Sequence, residues 1–343
     1  MKIVIFEIEP WERQAFESLE GAHDLAYESG RLNETKAGHF SDADIISTFI
    51  HSSLTREALE RFSQLKLIAT RSTGFDHIDL DTCAEKDIKV ANVPTYGDNT
   101  VAEHVFALLL AISHNLVEAV DRTRRGNFSL EGLDGFDLHG KTLGVIGTGS
   151  IGQHTAKIGR GFGMKVLAFD VAPSESTARE IGFKYVGMTE LLSCSDAISL
   201  HVPGGDETKN LISTKEFNAM KDGVVLINTA RGSVVDTEAM LHALSSGKLR
   251  AAGLDVLAEE PAVREEAELL RSYFSKSHNL DAVLADHILL RMRNVIITPH
   301  SAFKTREAVQ RILSTTRDNI DCFIRGEPYN VVNDLPSDEG AGS

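Results

Sequence analysis

Residues 141–170 read KTLGVIGTGSIGQHTAKIGRGFGMKVLAFD. The apolar run Leu143-Gly144-Val145-Ile146 predicts a buried strand, and the stretch from Ser150 onward predicts a helix. Between them stand Gly147, Gly149 and Gly152 in the spacing G-x-G-x-x-G. That spacing alone is a weak signal, because the chain holds 27 glycines in 343 residues. Its position between a strand and a helix gives each glycine a task. The first permits a tight turn, the second lets backbone approach a pyrophosphate, and the third lets the helix pack close on the strand. Ser150 and Ile151 open the helix, whose free N–H groups and positive dipole end would face the same phosphates. A second apolar run ends on Asp170, roughly 20 residues after Gly147, where a carboxylate would bind the adenosine ribose hydroxyls. The stretch predicts a dinucleotide-binding βαβ unit. Asp170 would also repel a 2′-phosphate, and Val171-Ala172-Pro173 supplies no compensating cation. NAD(H) is therefore expected rather than NADP(H).

Outward from this unit the chain alternates short apolar runs with amphipathic stretches. Strands are predicted at 2–6, 43–49, 66–71 and 89–93, with a helix at 55–62. A long helix is predicted over 100–120. A second series of strands follows at 142–146, 165–170, 197–202, 224–229, 251–256 and 295–298, and a final helix at 306–324. Apolar strands alternating with helices mean parallel sheets covered on both faces. Two series joined by one long helix predict two α/β domains with a cleft between them, and the last helix is placed to pack back on the first.

Composition excludes several classes. A net charge of −15 argues against general nucleic-acid binding, though a small anion needs only local positive charge. The run 105–112 is far too short to span a membrane. The N-terminus MKIVIFEIEP, interrupted by Glu7 and Glu9, reads as a strand rather than a signal peptide. Cys83, Cys194 and Cys322 form no C-x-x-C pair and no metal-ligand spacing, which predicts reduced thiols in a cytoplasmic protein without a bound metal. The polar tail 336–343 is expected to be disordered.

Three stretches fall near the C-terminal ends of second-series strands, where an open parallel sheet places its ligand. INTARGSVVD puts Arg231 after one strand, GLDVLAEEP puts Asp255 in the next with Glu259-Glu260 beyond it, and ITPHSAF puts His300 after the last. Alone, each has a bland reading as a salt-bridge arginine, a helix cap or a surface histidine. Together, beside a dinucleotide, they suit reversible carbonyl reduction. Arginine would bind the carboxylate of a 2-oxo acid through paired donors. Histidine would protonate the ketone oxygen, or take that proton back in the reverse direction. A carboxylate would orient the imidazole and favour its charged form.

The set GTGSIG…D, TARGSVVD, GLDVLAEEP and TPHSAF resembles the D-isomer-specific 2-hydroxyacid dehydrogenase family over almost the whole chain. The resemblance implies a Rossmann-like NAD-binding domain, 100–300, inserted into a discontinuous flavodoxin-like substrate domain, 1–99 plus 301–335, working as a homodimer. It implies Arg231 as the catalytic arginine, Glu260 as the carboxylate and His300 as the acid/base. Asp255 would lie beside the nicotinamide, with Thr229 and Ala230 before Arg231 and with His201, Val202 and Pro203 lining the same side. His104, in VAEH, is read as structural.

The first domain is most similar to the lactate-type members. TRSTGFDHIDLD resembles their substrate loop, whose backbone N–H groups, here of Thr73 and Gly74, would hold the substrate carboxylate. Tyr96 stands where those members place a substrate-facing tyrosine, and Phe49 and Phe303 match aromatic positions that would wall a pocket for a methyl group. The long charged segment 262–293 departs from many relatives. The resulting expectation is reduction of pyruvate by NADH to D-lactate, and its reverse. Its rivals are the same chemistry on glyoxylate, hydroxypyruvate or a branched or aromatic 2-oxo acid, and a non-catalytic NAD(H) sensor.

Overall fold

Two parallel sheets organise the protein in a computed structural model that describes residues 1–258 and 286–333. The chain divides into one unit made of Met1–Tyr96 with Thr305–Ser343 and a second made of Gly97–Lys304.

The first unit's sheet contains β1 (Lys2–Ile5), β2 (Asp24–Tyr27), β3 (Ile45–Thr48), β4 (Leu67–Thr70) and β5 (Lys89–Ala91). Their order is β2-β1-β3-β4-β5, all parallel, which is the flavodoxin-like arrangement. Strand periodicity splits the side chains between two cores. Ile3, Ile5, Ile45 and Leu67 pack with Phe16 and with Val309, Leu313 and Ile320 of the helix Arg306–Ile324. Val4, Ile46, Ile68 and Val90 pack on the other face with Leu59 and Phe62. The last helix starts cleanly because the Thr305 side chain accepts a bond from the Ala308 N–H at 3.2 Å.

The second unit's sheet contains β6 (Thr142–Ile146), β7 (Lys165–Phe169), β8 (Lys184–Tyr185), β9 (Ala197–Leu200), β10 (Val224–Asn228), β11 (Leu249–Leu254) and β12 (Val295–Ile297). The order β12-β11-β10-β9-β6-β7-β8 is that of a dinucleotide-binding sheet extended by one strand. Chain direction across the sheet reverses between β6 and β9, so the switch point lies at the C-terminal ends of those two strands. Buried apolar side chains cover both faces, Leu143 and Val145 on one and Ile146, Ile198 and Leu200 on the other. The fold is α/β and doubly wound twice, a Rossmann-like domain inserted in a discontinuous flavodoxin-like one.

Several expectations need correction. The helix predicted over 100–120 is two helices, Asp98–Ser113 and Leu116–Arg124, bent by 62°. Asn115 makes the break with φ at 49°, in the left-handed region that asparagine tolerates better than most residues. The first helix buries Val105, Leu108 and Leu109, whereas the second buries nothing, so no common core keeps them straight. Strands β2 and β8 lie at the sheet edges, are short and hold no fully buried side chain, which is why periodicity passes over them. The two units of the structure divide at 96/97 and 304/305, within a few residues of the expected domain limits. Residues 301–304 stay with the second unit because the Asp255 carboxylate holds the Ser301 and Ala302 N–H groups at 2.9 Å each. Phe303 is therefore part of the second unit. Glu259, Glu260, most of 262–293 and the tail 336–343 lie outside the described residues. Among the described residues, no single helix is long and apolar enough to cross a membrane, and no cluster of His, Cys, Asp and Glu could hold a metal ion.

Candidate active site

At the end of β6 the chain turns at Gly147, with φ at 90°. A Cβ there would stand 2.5 Å from the His201 carbonyl oxygen, at the end of β9, so the turn fits only glycine. A Cβ on Gly152 would overlap the Gly147 carbonyl oxygen, which is the close packing predicted for the third glycine. Gly149 differs, because nothing lies within 4 Å of its Cβ position. It begins the helix Ser150–Gly161 without a side-chain cap, leaving the first-turn N–H groups of Ser150 and Ile151 without a capping partner among the described residues. Open space beside Gly149 and an uncapped helix start together form an anion cradle.

Asp170 follows β7 and reaches back to the loop. Its Oδ2 accepts from the Thr148 N–H at 2.5 Å and the Thr148 hydroxyl at 2.9 Å, and its Oδ1 accepts from the Ala172 N–H at 2.9 Å. Burial pushes this carboxyl up, but the backbone donors of Ala172 and Thr148 outweigh it and hold the pKa below the usual carboxylate range. The group is thus a fixed anion beside the cradle. Thr148, which the sequence did not single out, also bonds the Tyr185 hydroxyl at 2.7 Å.

The next strands deliver the remaining groups. His201, Val202 and Pro203 follow β9. The His201 Nε2 lies 2.8 Å from the Ser199 hydroxyl, and burial holds the imidazole well below its ordinary range, so it stays neutral. At the end of β10, its last residue, the buried Asn228, shapes the turn that carries Thr229, Ala230 and Arg231. Its Oδ1 accepts from the Ala230 N–H at 3.0 Å and its Nδ2 donates to the Arg231 carbonyl at 2.9 Å. The Arg231 side chain donates to the Ala230 carbonyl at 2.8 Å and lies across Gly204, where a Cβ would meet its Cγ at 3.0 Å. Asn228 is a positioning residue that strand periodicity hides, because it occupies an ordinary buried strand position.

After β11, Asp255 is 1% exposed. Its carboxylate accepts from the Thr298 hydroxyl at 2.5 Å, the Ser301 N–H at 2.9 Å and the Ala302 N–H at 2.9 Å. Its carbonyl accepts from the His300 N–H at 3.0 Å. These bonds hold the loop after β12 in a conformation that puts His300 at φ 52°, a left-handed backbone costing on the order of 1–2 kcal/mol for a non-glycine residue. The Asp255 carboxylate thus serves the loop that presents His300, a task the sequence did not reveal.

In the first unit, Phe49 follows β3. Its N–H donates to the Glu7 carboxylate at 2.9 Å, as does the His51 N–H at 3.0 Å, and the Ser52 hydroxyl makes a short bond to the same group. Arg71, 3% exposed, donates to the carbonyls of Phe6 and Glu7 at 2.6 and 2.8 Å, with its guanidinium 5.9 Å from the Phe49 ring. Burial pushes this guanidinium down to about 10, which leaves it charged near neutral pH. The Thr73 hydroxyl donates to the Val93 carbonyl at 2.8 Å, and the Gly74 carbonyl accepts from the Ser72 hydroxyl at 2.6 Å. Among the described residues, no acceptor lies against the N–H of Thr73 or of Gly74. The Tyr96 carbonyl accepts from Arg311 at 2.7 Å. Phe303, in the second unit, lies against Gly97.

A dinucleotide fits the second unit. The cradle is open at Gly149, the Asp170 carboxylate stands at the end of β7, and Thr229 Oγ1 at the end of β10 is buried without a hydrogen-bond partner among the described residues. Residues 106–302 match the D-isomer specific 2-hydroxyacid dehydrogenase, NAD binding domain. The chain belongs to the D-isomer-specific 2-hydroxyacid dehydrogenases, and its second unit carries their NAD-binding domain. It is 36% identical to the D-lactate dehydrogenase of Escherichia coli over 334 residues, covering 95% of this chain and 98% of the relative. It is 37% identical to the glyoxylate reductase of Thermococcus litoralis over 300 residues, covering 85% and 84%. Among solved structures, the D-lactate dehydrogenase of Aquifex aeolicus, complexed with NAD and lactic acid, superposes with a TM-score of 0.82 at 39% identity, covering 95% of this chain and 96% of that one.

Proposed function

We propose that the protein is an NAD-dependent D-lactate dehydrogenase, interconverting pyruvate and D-lactate. The observation that carries this reading is the delivery of Arg231 and His300 to the C-terminal ends of β10 and β12, in the sheet whose β6 opens the cradle. NADH, when bound, supplies the hydride that reduces the ketone carbon. Arg231 binds the substrate carboxylate through paired donors and polarises the carbonyl. His300 gives a proton to the ketone oxygen, and Glu260 orients its imidazole. In the first unit, the Thr73 and Gly74 N–H groups bind the carboxylate, and Phe49 and Tyr96 restrict the substrate to a small side chain. Phe303 does so in the second unit.

The same chemistry on glyoxylate or hydroxypyruvate is the second reading, favoured by the 37% identity to a glyoxylate reductase. A sensor without turnover would have no use for Arg231 and His300 in this arrangement. Two variants test the assignment. His300→Ala should lower kcat by roughly 10²–10⁴-fold and leave NADH affinity near wild type. Glu260→Gln should lower kcat more than NADH affinity, because the imidazole loses the group that orients it. Loss of NADH affinity alone in the first variant, or an unchanged kcat in the second, contradicts the roles given.

The three cysteines are free thiols, in keeping with a cytoplasmic setting. The working unit is proposed to be a homodimer. Leu116, Val117 and Val120 of the helix Leu116–Arg124 are 53%, 57% and 40% exposed, and Phe128 and Leu130 beyond it are 78% and 82% exposed. An apolar patch of this kind marks an interaction surface. Residues 116–133 carry three acidic and three basic side chains in a chain of net charge −15, so two copies can meet there without mutual repulsion.

A further inference from the structure

We propose that His104 is a positioning residue for the reaction, acting on His300 through Thr298 and Asp255. The inference rests on the reading of His300 as the proton donor. His104 sits in the second turn of the helix Asp98–Ser113, its side chain 21% exposed. Its Nε2 lies 3.0 Å from the Thr298 hydroxyl and 3.6 Å from Asp255 Oδ1. The Thr298 hydroxyl has one proton, and that proton points to Asp255 Oδ1 at 2.5 Å. The hydroxyl oxygen can then only accept from His104, which fixes the tautomer as Nε2–H. The chain of bonds runs from His104 Nε2–H to the Thr298 hydroxyl and on to the Asp255 carboxylate.

That carboxylate is the anchor of the His300 loop. It takes the Ser301 and Ala302 N–H groups on the far side of His300 and the Thr298 hydroxyl on the near side, while His300 itself holds a left-handed φ of 52°. A strained residue keeps its conformation only while its surroundings over-determine it. Thr298 is the one anchor point that depends on a side chain, since the other two are backbone N–H groups. His104 orients that hydroxyl toward Asp255. Removing the His104 donor frees the hydroxyl to rotate and slackens the segment that aims the His300 imidazole. Proton transfer is sensitive to misplacement on the scale of an ångström, whereas cofactor binding at the glycine loop is not touched.

Steady-state kinetics on the full chain, with NADH and the best 2-oxo acid substrate, test this. His104→Phe keeps a ring and removes the donor, and should lower kcat about tenfold or more with KM and NADH affinity near wild type. His104→Gln keeps an N–H donor and should recover most of the loss. The double variant His104→Phe, Thr298→Val should be no worse than Thr298→Val alone, because both act through one bond. Wild-type kcat in His104→Phe, a loss confined to NADH affinity, no recovery by glutamine, or additive effects would overturn the proposal. If His104→Phe does not fold, His104→Leu against His104→Gln asks the same question, and equal kcat in the two overturns it. His300→Ala in the same series separates the levels. Retained turnover there removes the acid/base reading, while an inactive His300→Ala beside a fully active His104→Phe removes only the role of His104.

Discussion

Asp170 shows what one carboxylate can decide. It is fixed by three donors, two of them from Thr148 in the glycine loop, and is held as an anion that would repel a 2′-phosphate bound beside it. The account predicts a higher kcat/KM with NADH than with NADPH. Asp170→Asn keeps the acceptor oxygen for the loop while removing the charge, and should narrow that preference on the order of tenfold. Wild-type preference for NADPH, or an unchanged ratio in the variant, would sink the assignment. Asp170 was legible because its distance from the glycines is set by the length of one βαβ unit. Thr148, Asn228 and His104 were not. Each is a polar residue whose task depends on a partner brought near by folding, and no local pattern announces it.

At the scale of elements, strand periodicity placed the central strands to within a few residues, because both faces of a parallel strand must be apolar. Edge strands β2 and β8 escaped, being half-covered and short. So did the break at Asn115, where a change of burial rather than a proline ends the first helix. The ends of strands matter most here, since Gly147, Asp170, His201, Arg231, Asp255 and His300 each follow one. At the end of β9, burial keeps the His201 ring neutral in the folded protein, while the unfolded ring takes up a proton below about pH 6.5. A depressed folded pKa gives stability that is whole above the unfolded value and is lost as pH falls below it. Tm should therefore begin to fall below about pH 6.5, and His201→Asn should remove that first stage of acid sensitivity. Equal slopes for the two proteins would show that another group is responsible.

For the whole molecule, the sequence motifs pointed to each domain's class and to Glu260, which lies outside the described residues. The exposed Phe128 and Leu130 pose the question of oligomeric state. Sedimentation should find two copies per particle at micromolar concentration, and Leu130→Asp with Phe128→Asp should give monomers that still bind NADH. A wild-type monomer would remove the dimer from the account. The central claim is the chemistry and its substrate, and NADH oxidation by the purified protein across a panel of 2-oxo acids tests it most directly. The account predicts the highest kcat/KM with pyruvate, with D-lactate as the sole enantiomer formed; no oxidation with any 2-oxo acid, or a higher kcat/KM with glyoxylate or hydroxypyruvate, would contradict it.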